Sequence, residues 1–75
     1  MNDYIKILSQ RLRIVTKQKG LEQKDIAEKM GLSKQTVNSW FREVNPSAPV
    51  FSRLCELADL LDVSLDFLAG RSDTP

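Results

Sequence analysis

Apolar side chains recur along the first stretch of the chain at steps of three and four. Ile5, Leu8, Leu12 and Val15 form the series, with Lys6, Arg13 and Lys17 elsewhere around the turn. That spacing lines one face of a helix. It predicts a helix from about Asp3 to Lys19, capped by Asn2 or Asp3 and ended by Gly20. The pattern then restarts in shorter units. Leu21 and Ile26 stand at hydrophobic-staple spacing around Glu22, with Asp25 where a capping box needs an acid. A second helix is expected from about Gln23 to Met30, with Ala27 small enough to admit a close neighbour and Gly31 to break it. Leu32, Ser33 and Val37 repeat the staple around a better cap residue. They predict a third helix running to about Arg42, with Val37, Trp40 and Phe41 turned inward.

"EVNPSAPV", residues 43–50, reads as a polar, proline-bearing loop. Pro49 suits the first position of a fourth helix, whose inner face would carry Phe51, Leu54, Cys55, Ala58 and Leu61, with Leu57 beside them. Asp62 would end it. Val63, Ser64 and Leu68 give a third staple and a short fifth helix, Leu65 to Ala69, closing at Gly70. The expected fold is therefore a compact all-α domain of five helices over residues 1–70, with "RSDTP", residues 71–75, as a flexible tail or the start of a linker. The expected core is Ile5, Leu8, Leu12, Val15, Leu21, Ile26, Ala27, Met30, Leu32, Val37, Trp40, Phe51, Leu54, Leu57, Ala58, Leu61, Val63 and Leu68. Leu57 or Phe67 is the alternative outward-facing residue, and an exposed pair of these would be the place for a second copy to bind.

Composition narrows the function classes. An apolar fraction of 41% and a charged fraction of 28% are ordinary for a globular protein. Cys55 is the single cysteine, so no intramolecular disulfide can form, and a reduced thiol fits the cytoplasm. With no histidine and no cysteine cluster, neither a metal site nor a cofactor is expected. No grouping suits covalent or acid–base chemistry, so the chain does not read as an enzyme. Charges interrupt every apolar run before it reaches the length of a signal peptide or a membrane span. The net charge of +1 conceals an asymmetry. Residues 1–42 hold nine Lys or Arg against four Asp or Glu, while residues 43–75 hold two against six. A basic first half is what a polyanion-binding face requires.

The second and third helices meet through "GLS", residues 31–33, as in a helix-turn-helix. The outer face of the third helix carries Lys34, Gln35, Asn38, Ser39 and Arg42, with Thr36 at its border. Such a helix fits the major groove of B-form DNA, where glutamine can pair bidentately with adenine and lysine can donate to guanine. Lys34, Gln35, Thr36, Asn38 and Ser39 are thus the expected base-reading residues. Gln23, at the N-terminus of the second helix, is an expected phosphate contact, as are Arg42, Arg13 and Lys17.

"KGLEQKDIAEKMGLSKQTVNSW", residues 19–40, and "LADLLDVSLDFLAG", residues 57–70, resemble the Cro/C1-type helix-turn-helix family, the lambda-repressor-like DNA-binding domains. The resemblance runs from about Leu8 to Gly70. It implies a five-helix domain that binds operator DNA as a two-fold dimer, with the third helix in the major groove. Gln23 matches the family's phosphate-contacting glutamine, and Lys34, Gln35 and Ser39 match its base-reading positions. Thr36 and Asn38 fall among the positions that adjust preference, and Arg42 falls where the helix end meets the DNA backbone. The chain departs from the family in three places: Glu22 stands where serine or threonine is frequent, Phe41-Arg42-Glu43 replaces a glutamate and an Asn-Gly turn, and the loop to Pro49 is longer. The third helix is accordingly expected to run slightly further than in most members. The function implied is a transcriptional regulator, chiefly a repressor of a palindromic operator. The alternative is an antitoxin, a restriction-modification controller or another protein-interaction module with secondary DNA binding.

Overall fold

The computed structural model describes residues 3–75. The cap expected at Asn2 or Asp3 lies outside the described side chains. Five helices follow in chain order: α1 Asp3–Lys19, α2 Gln23–Met30, α3 Lys34–Phe41, α4 Phe51–Leu61 and α5 Leu65–Leu68. Among the described residues there is no strand.

One local device sets three of the four connections. Gly20-Leu21-Glu22, Gly31-Leu32-Ser33 and Asp62-Val63-Ser64 each begin with a residue in the left-handed region and end on the next helix's cap. In each, the middle apolar residue donates its N–H to a carbonyl five residues back: Leu21 to Thr16 at 2.9 Å, Leu32 to Ala27 at 2.9 Å and Val63 to Ala58 at 3.0 Å. That bond is the mark of a Schellman ending, and the apolar residue that makes it is also the staple residue of the helix that follows. One side chain therefore closes one helix and aims the next. Gly31 needs this freedom most plainly, since its φ of 68° ends α2 within a three-residue turn. Asp62 adopts φ 56° without being glycine, a conformation aspartate tolerates better than most residues.

The core joins all five helices. Leu8, Leu12 and Val15 of α1 meet Ile26 and Ala27 of α2, Val37, Trp40 and Phe41 of α3, Leu57, Ala58 and Leu61 of α4, and Leu68 of α5. Each buried Leu or Ile contributes roughly 1.5–3 kcal/mol relative to exposure. Leu57 is fully buried rather than turned outward, and Phe67 is half-buried. Leu21, Met30, Leu32, Leu54 and Val63 are half-buried around this centre, and Ile5 is half-buried as well.

Four boundaries or placements differ from expectation. Pro49 is not the first residue of α4; it lies buried two residues earlier, and Val50 occupies the cap position. With Leu8 and Leu54, Pro49 lines a shallow groove of about 280 Å³ instead of opening the helix. Phe51, expected in the core, is 71% exposed. As the first residue of α4 its side chain leans toward the N-terminal end of the helix, beyond the last core layer. α3 stops at Phe41 instead of running on, and Arg42 is extended at ψ 144°. The reason lies in α1: Ser9 Oγ donates to the Arg42 carbonyl at 2.7 Å, and Arg13 donates to the Phe41 and Arg42 carbonyls at 3.0 and 3.2 Å. In a longer helix the Phe41 carbonyl would accept from the Asn45 N–H, but the Arg42 carbonyl would face Pro46, which has no N–H to give. α5 ends at Leu68, one residue short, with Ala69 as its cap.

Residues 71–75, expected as a tail, fold back against α1 and α5. Arg11 donates to the carbonyls of Phe67 (3.0 Å) and Ser72 (2.6 Å), pairs with Asp73 at 3.0 Å, and lies 4.3 Å from the centre of the Phe67 ring. The two carbonyl bonds and the ring contact carry this clasp, because Asp73 is fully exposed and its pair with Arg11 is screened. Arg11→Ala should lower the thermal midpoint by on the order of 10 °C, from about 1–3 kcal/mol of lost contacts. An unchanged midpoint in calorimetry would show the clasp to be energetically idle.

Candidate nucleic-acid interface

The helix-turn-helix presents its face through two opposed sets of residues on α3. Val37 is 0% exposed, while Lys34, Gln35, Thr36 and Asn38 are exposed. The spacing of Val37, Trp40 and Phe41 fixes the buried side, and the remaining positions turn outward by the helical period. Ser33 caps the helix by accepting from the Thr36 N–H at 3.1 Å, so the first turn is held at the point where Lys34 and Gln35 project.

The expected base-reading residues are not equally available. Lys34, Gln35 and Asn38 make no side-chain hydrogen bond to the protein among the described residues. Thr36 Oγ1 lies 2.9 Å from Ser33 Oγ and shares the cap with it. Ser39 is half-buried, and its hydroxyl donates to the Thr36 carbonyl at 2.6 Å, which leaves the oxygen as an acceptor. Ser39 also anchors the following loop, for its carbonyl accepts from the Ser47 N–H at 2.8 Å.

Gln23 is half-buried as the first residue of α2. It lies on an open groove between α1, α2 and α3 whose walls carry Arg13, Lys17, Lys24 and Lys34. Four cations around a helix N-terminus favour an anion there. Glu22 is the opposing charge, and its carboxylate sits 4.0 Å from Lys24 Nζ. The Glu22 N–H donates to Asp25 at 2.9 Å, which completes the capping arrangement that the sequence pattern contains. Arg42 is exposed at the other end of α3.

Arg13 has a second task. Besides bonding the α3 carbonyls it donates to Ser9 Oγ at 2.6 Å, so one guanidinium nitrogen is committed to closing the end of α3. Lys24 was absent from the sequence-based set. It follows Gln23 directly and lines the same groove, a position visible only once α2 and α3 are packed. Ser9, 1% exposed, is the other omission, and no local signal in the sequence marks which carbonyl it would serve.

Among the described residues there is no group of three or more His, Cys, Asp or Glu placed to hold a metal ion, and no helix long and apolar enough to cross a membrane. A family model for helix-turn-helix domains matches residues 10–68. The chain is 36% identical over 66 residues to the uncharacterized HTH-type transcriptional regulator YobD of Bacillus subtilis (strain 168), covering 88% of this chain and 57% of that protein. It is 32% identical over 62 residues to a second such regulator of the same organism, YqaE, covering 83% of this chain and 52% of the relative. The chain thus spans little more than half the length of these curated relatives. No solved structure matches it at a significant level. The matched region contains the whole packed unit of α2, α3 and the basic groove, and on these grounds the chain belongs to the Cro/C1-type helix-turn-helix family.

Proposed function

We propose that this chain is the DNA-binding part of a sequence-specific transcriptional regulator that represses by occupying a palindromic operator. The observation that carries the proposal is the division of α3: Lys34, Gln35, Thr36 and Asn38 outward, Val37, Trp40 and Phe41 inward, beside a groove lined by four cations. Lys34 and Gln35 read base edges in the major groove, with Thr36, Asn38 and Ser39 adjusting the preference. Gln23, Lys17, Lys24 and Arg42 hold phosphates, and Arg13 supports the end of the reading helix while facing the same groove. Two copies bind as a homodimer, their α3 helices about 34–36 Å apart along one face of the duplex. Repression by occupancy requires no chemistry from the protein. A cytoplasmic location places the chain with its DNA and with a reduced Cys55.

The names of both relatives support regulation of transcription. The test is binding to random-sequence duplex DNA across a salt series. Three or four phosphate contacts per copy should give a slope of log affinity against log salt of about −3 to −4. A slope near zero would reject the DNA reading and favour a protein-interaction module such as an antitoxin.

A further inference from the structure

We infer that Arg13, oriented by the buried Ser9 hydroxyl, joins a DNA phosphate to the C-terminal end of α3 through two edges of one guanidinium, and so sets how the reading helix seats on the duplex. Arg13 and Ser9 are then positioning residues, an assignment that rests on the DNA-binding reading. Every hydrogen bond of the Arg13 side chain to the protein among the described residues uses Nη1, which lies 2.6 Å from Ser9 Oγ, 3.0 Å from the Phe41 carbonyl and 3.2 Å from the Arg42 carbonyl. Ser9 is 1% exposed, and its one hydroxyl proton goes to the Arg42 carbonyl at 2.7 Å. Its oxygen therefore faces Arg13 as an acceptor, which fixes the guanidinium from the buried side.

The other edge has a different use. Nε and Nη2 make no hydrogen bond to the protein among the described residues, and together they form the planar fork that takes two phosphate oxygens at once. Arg13 is half-buried on the wall of the open groove that Lys17, Gln23, Lys24 and Lys34 also line. An anion drawn there by the lysines meets a guanidinium already held in place. The carbonyl end of α3 carries partial negative charge, so a phosphate near that corner would be repelled without a cation between the two. Arg13 occupies that intermediate position and is attracted by both.

The consequence is mechanical. The eight residues of α3 span about 12 Å, and the helix is held at its start by the Ser33 cap and at its end by Arg13 and Ser9. A helix of two turns moves as a rod, so a shift at Phe41 is passed along it to Gln35 and Lys34. Hydrogen bonds to base edges weaken steeply outside their narrow range of distance and angle. The DNA backbone thus reaches base discrimination through a residue that touches no base. Lysine at this position would keep the charge, but its single ammonium serves either the carbonyls or the phosphate, not both.

Binding of the unmodified chain, Arg13→Lys and Ser9→Ala to random-sequence duplex, and to the duplex that the unmodified chain selects, tests this at a temperature where melting curves show all three folded. Arg13→Lys should leave the salt slope on random duplex within about half a unit, because the charge stays. The ratio of random to selected dissociation constants should fall at least about fivefold. Ser9→Ala keeps every charge and should lower the same ratio by roughly 2–10-fold with the slope unchanged. The Arg13 Nε–H resonance in proton–nitrogen correlation spectra supplies the second readout. Random duplex should shift it and slow its exchange with water, which an arginine serving only the protein would not show. A ratio unchanged in Arg13→Lys reduces Arg13 to a point charge and overturns the assignment, and so does an Nε–H resonance unmoved by duplex. With a normal slope in the unmodified chain, either result leaves the DNA reading standing. A slope near zero in that chain rejects the DNA reading itself.

Discussion

Val37→Asp is expected to abolish the folded state at 25 °C, seen as loss of helical circular dichroism and of a cooperative melting transition. Val37 is 0% exposed and packs with Ile26, Ala27 and Leu12 in the cluster that joins α3 to α1 and α2. The substitution removes roughly 1.5–3 kcal/mol of burial. It also places a carboxylate among apolar side chains, at a further cost of several kcal/mol unless the group protonates or the helix moves out. A domain of this size is stable by about 4–11 kcal/mol, so the combined loss takes most or all of that margin. Gln35, two residues earlier on the same helix, is the control. Gln35→Ala lies on the exposed face and should change stability by less than about 0.5 kcal/mol, a shift of the midpoint of under about 4 °C. Equal destabilisation by the two changes would mean that α3 is turned the other way, and the whole assignment of its outer face would go with it.

The contrast between these two residues also explains which parts of the molecule its sequence discloses. Signals within about five residues survive in the chain as pattern. Leu21, Leu32 and Val63 each sit between a helix-ending residue and a cap, so three turns and the boundaries beside them can be placed from the residues alone. Val37 and Trp40 establish which side of α3 faces inward by the same local arithmetic. What escaped was settled by distant parts of the chain. Pro49 reads locally as a helix start, but it is buried ahead of the cap at Val50, so α4 starts at Phe51, whose ring is in solvent. The end of α3 depends on Ser9 and Arg13, which reach carbonyls 28 to 33 residues away. Arg11 grips the last residues across 61 and 62 positions. Hydrogen bonds of that span leave no periodicity behind. The exposed face of α3 was therefore legible and its supports were not: the outward turn of Lys34 and Gln35 follows from phase on the helix, whereas Lys24 joins the groove only through packing of α2 against α3.

Gln35→Ala is expected to erase sequence preference at one base pair of each half-site while leaving general DNA affinity and its salt slope close to unchanged. Gln35 projects from the first turn of α3, which Ser33 holds in place through the Thr36 N–H, and its amide makes no hydrogen bond to the protein among the described residues. An amide with both its donor and its acceptor available matches N6 and N7 of adenine, and one such bidentate pair is worth about 1–3 kcal/mol of discrimination. Its loss should reduce preference at that position by a factor of roughly 5–150. Selection of bound sequences from a randomised duplex pool, run in parallel for the two proteins, measures this directly. Lys24→Ala supplies the opposite signature. A phosphate contact carries no sequence information, so its loss should weaken every duplex alike and reduce the salt slope by about one unit. If Gln35→Ala returned an unaltered consensus and only a smaller slope, Gln35 would be a phosphate contact, and base reading would shift to Lys34 and Asn38. An unaltered consensus with an unaltered slope would place Gln35 outside the interface altogether and overturn the proposed seating of α3 in the major groove by its first turn.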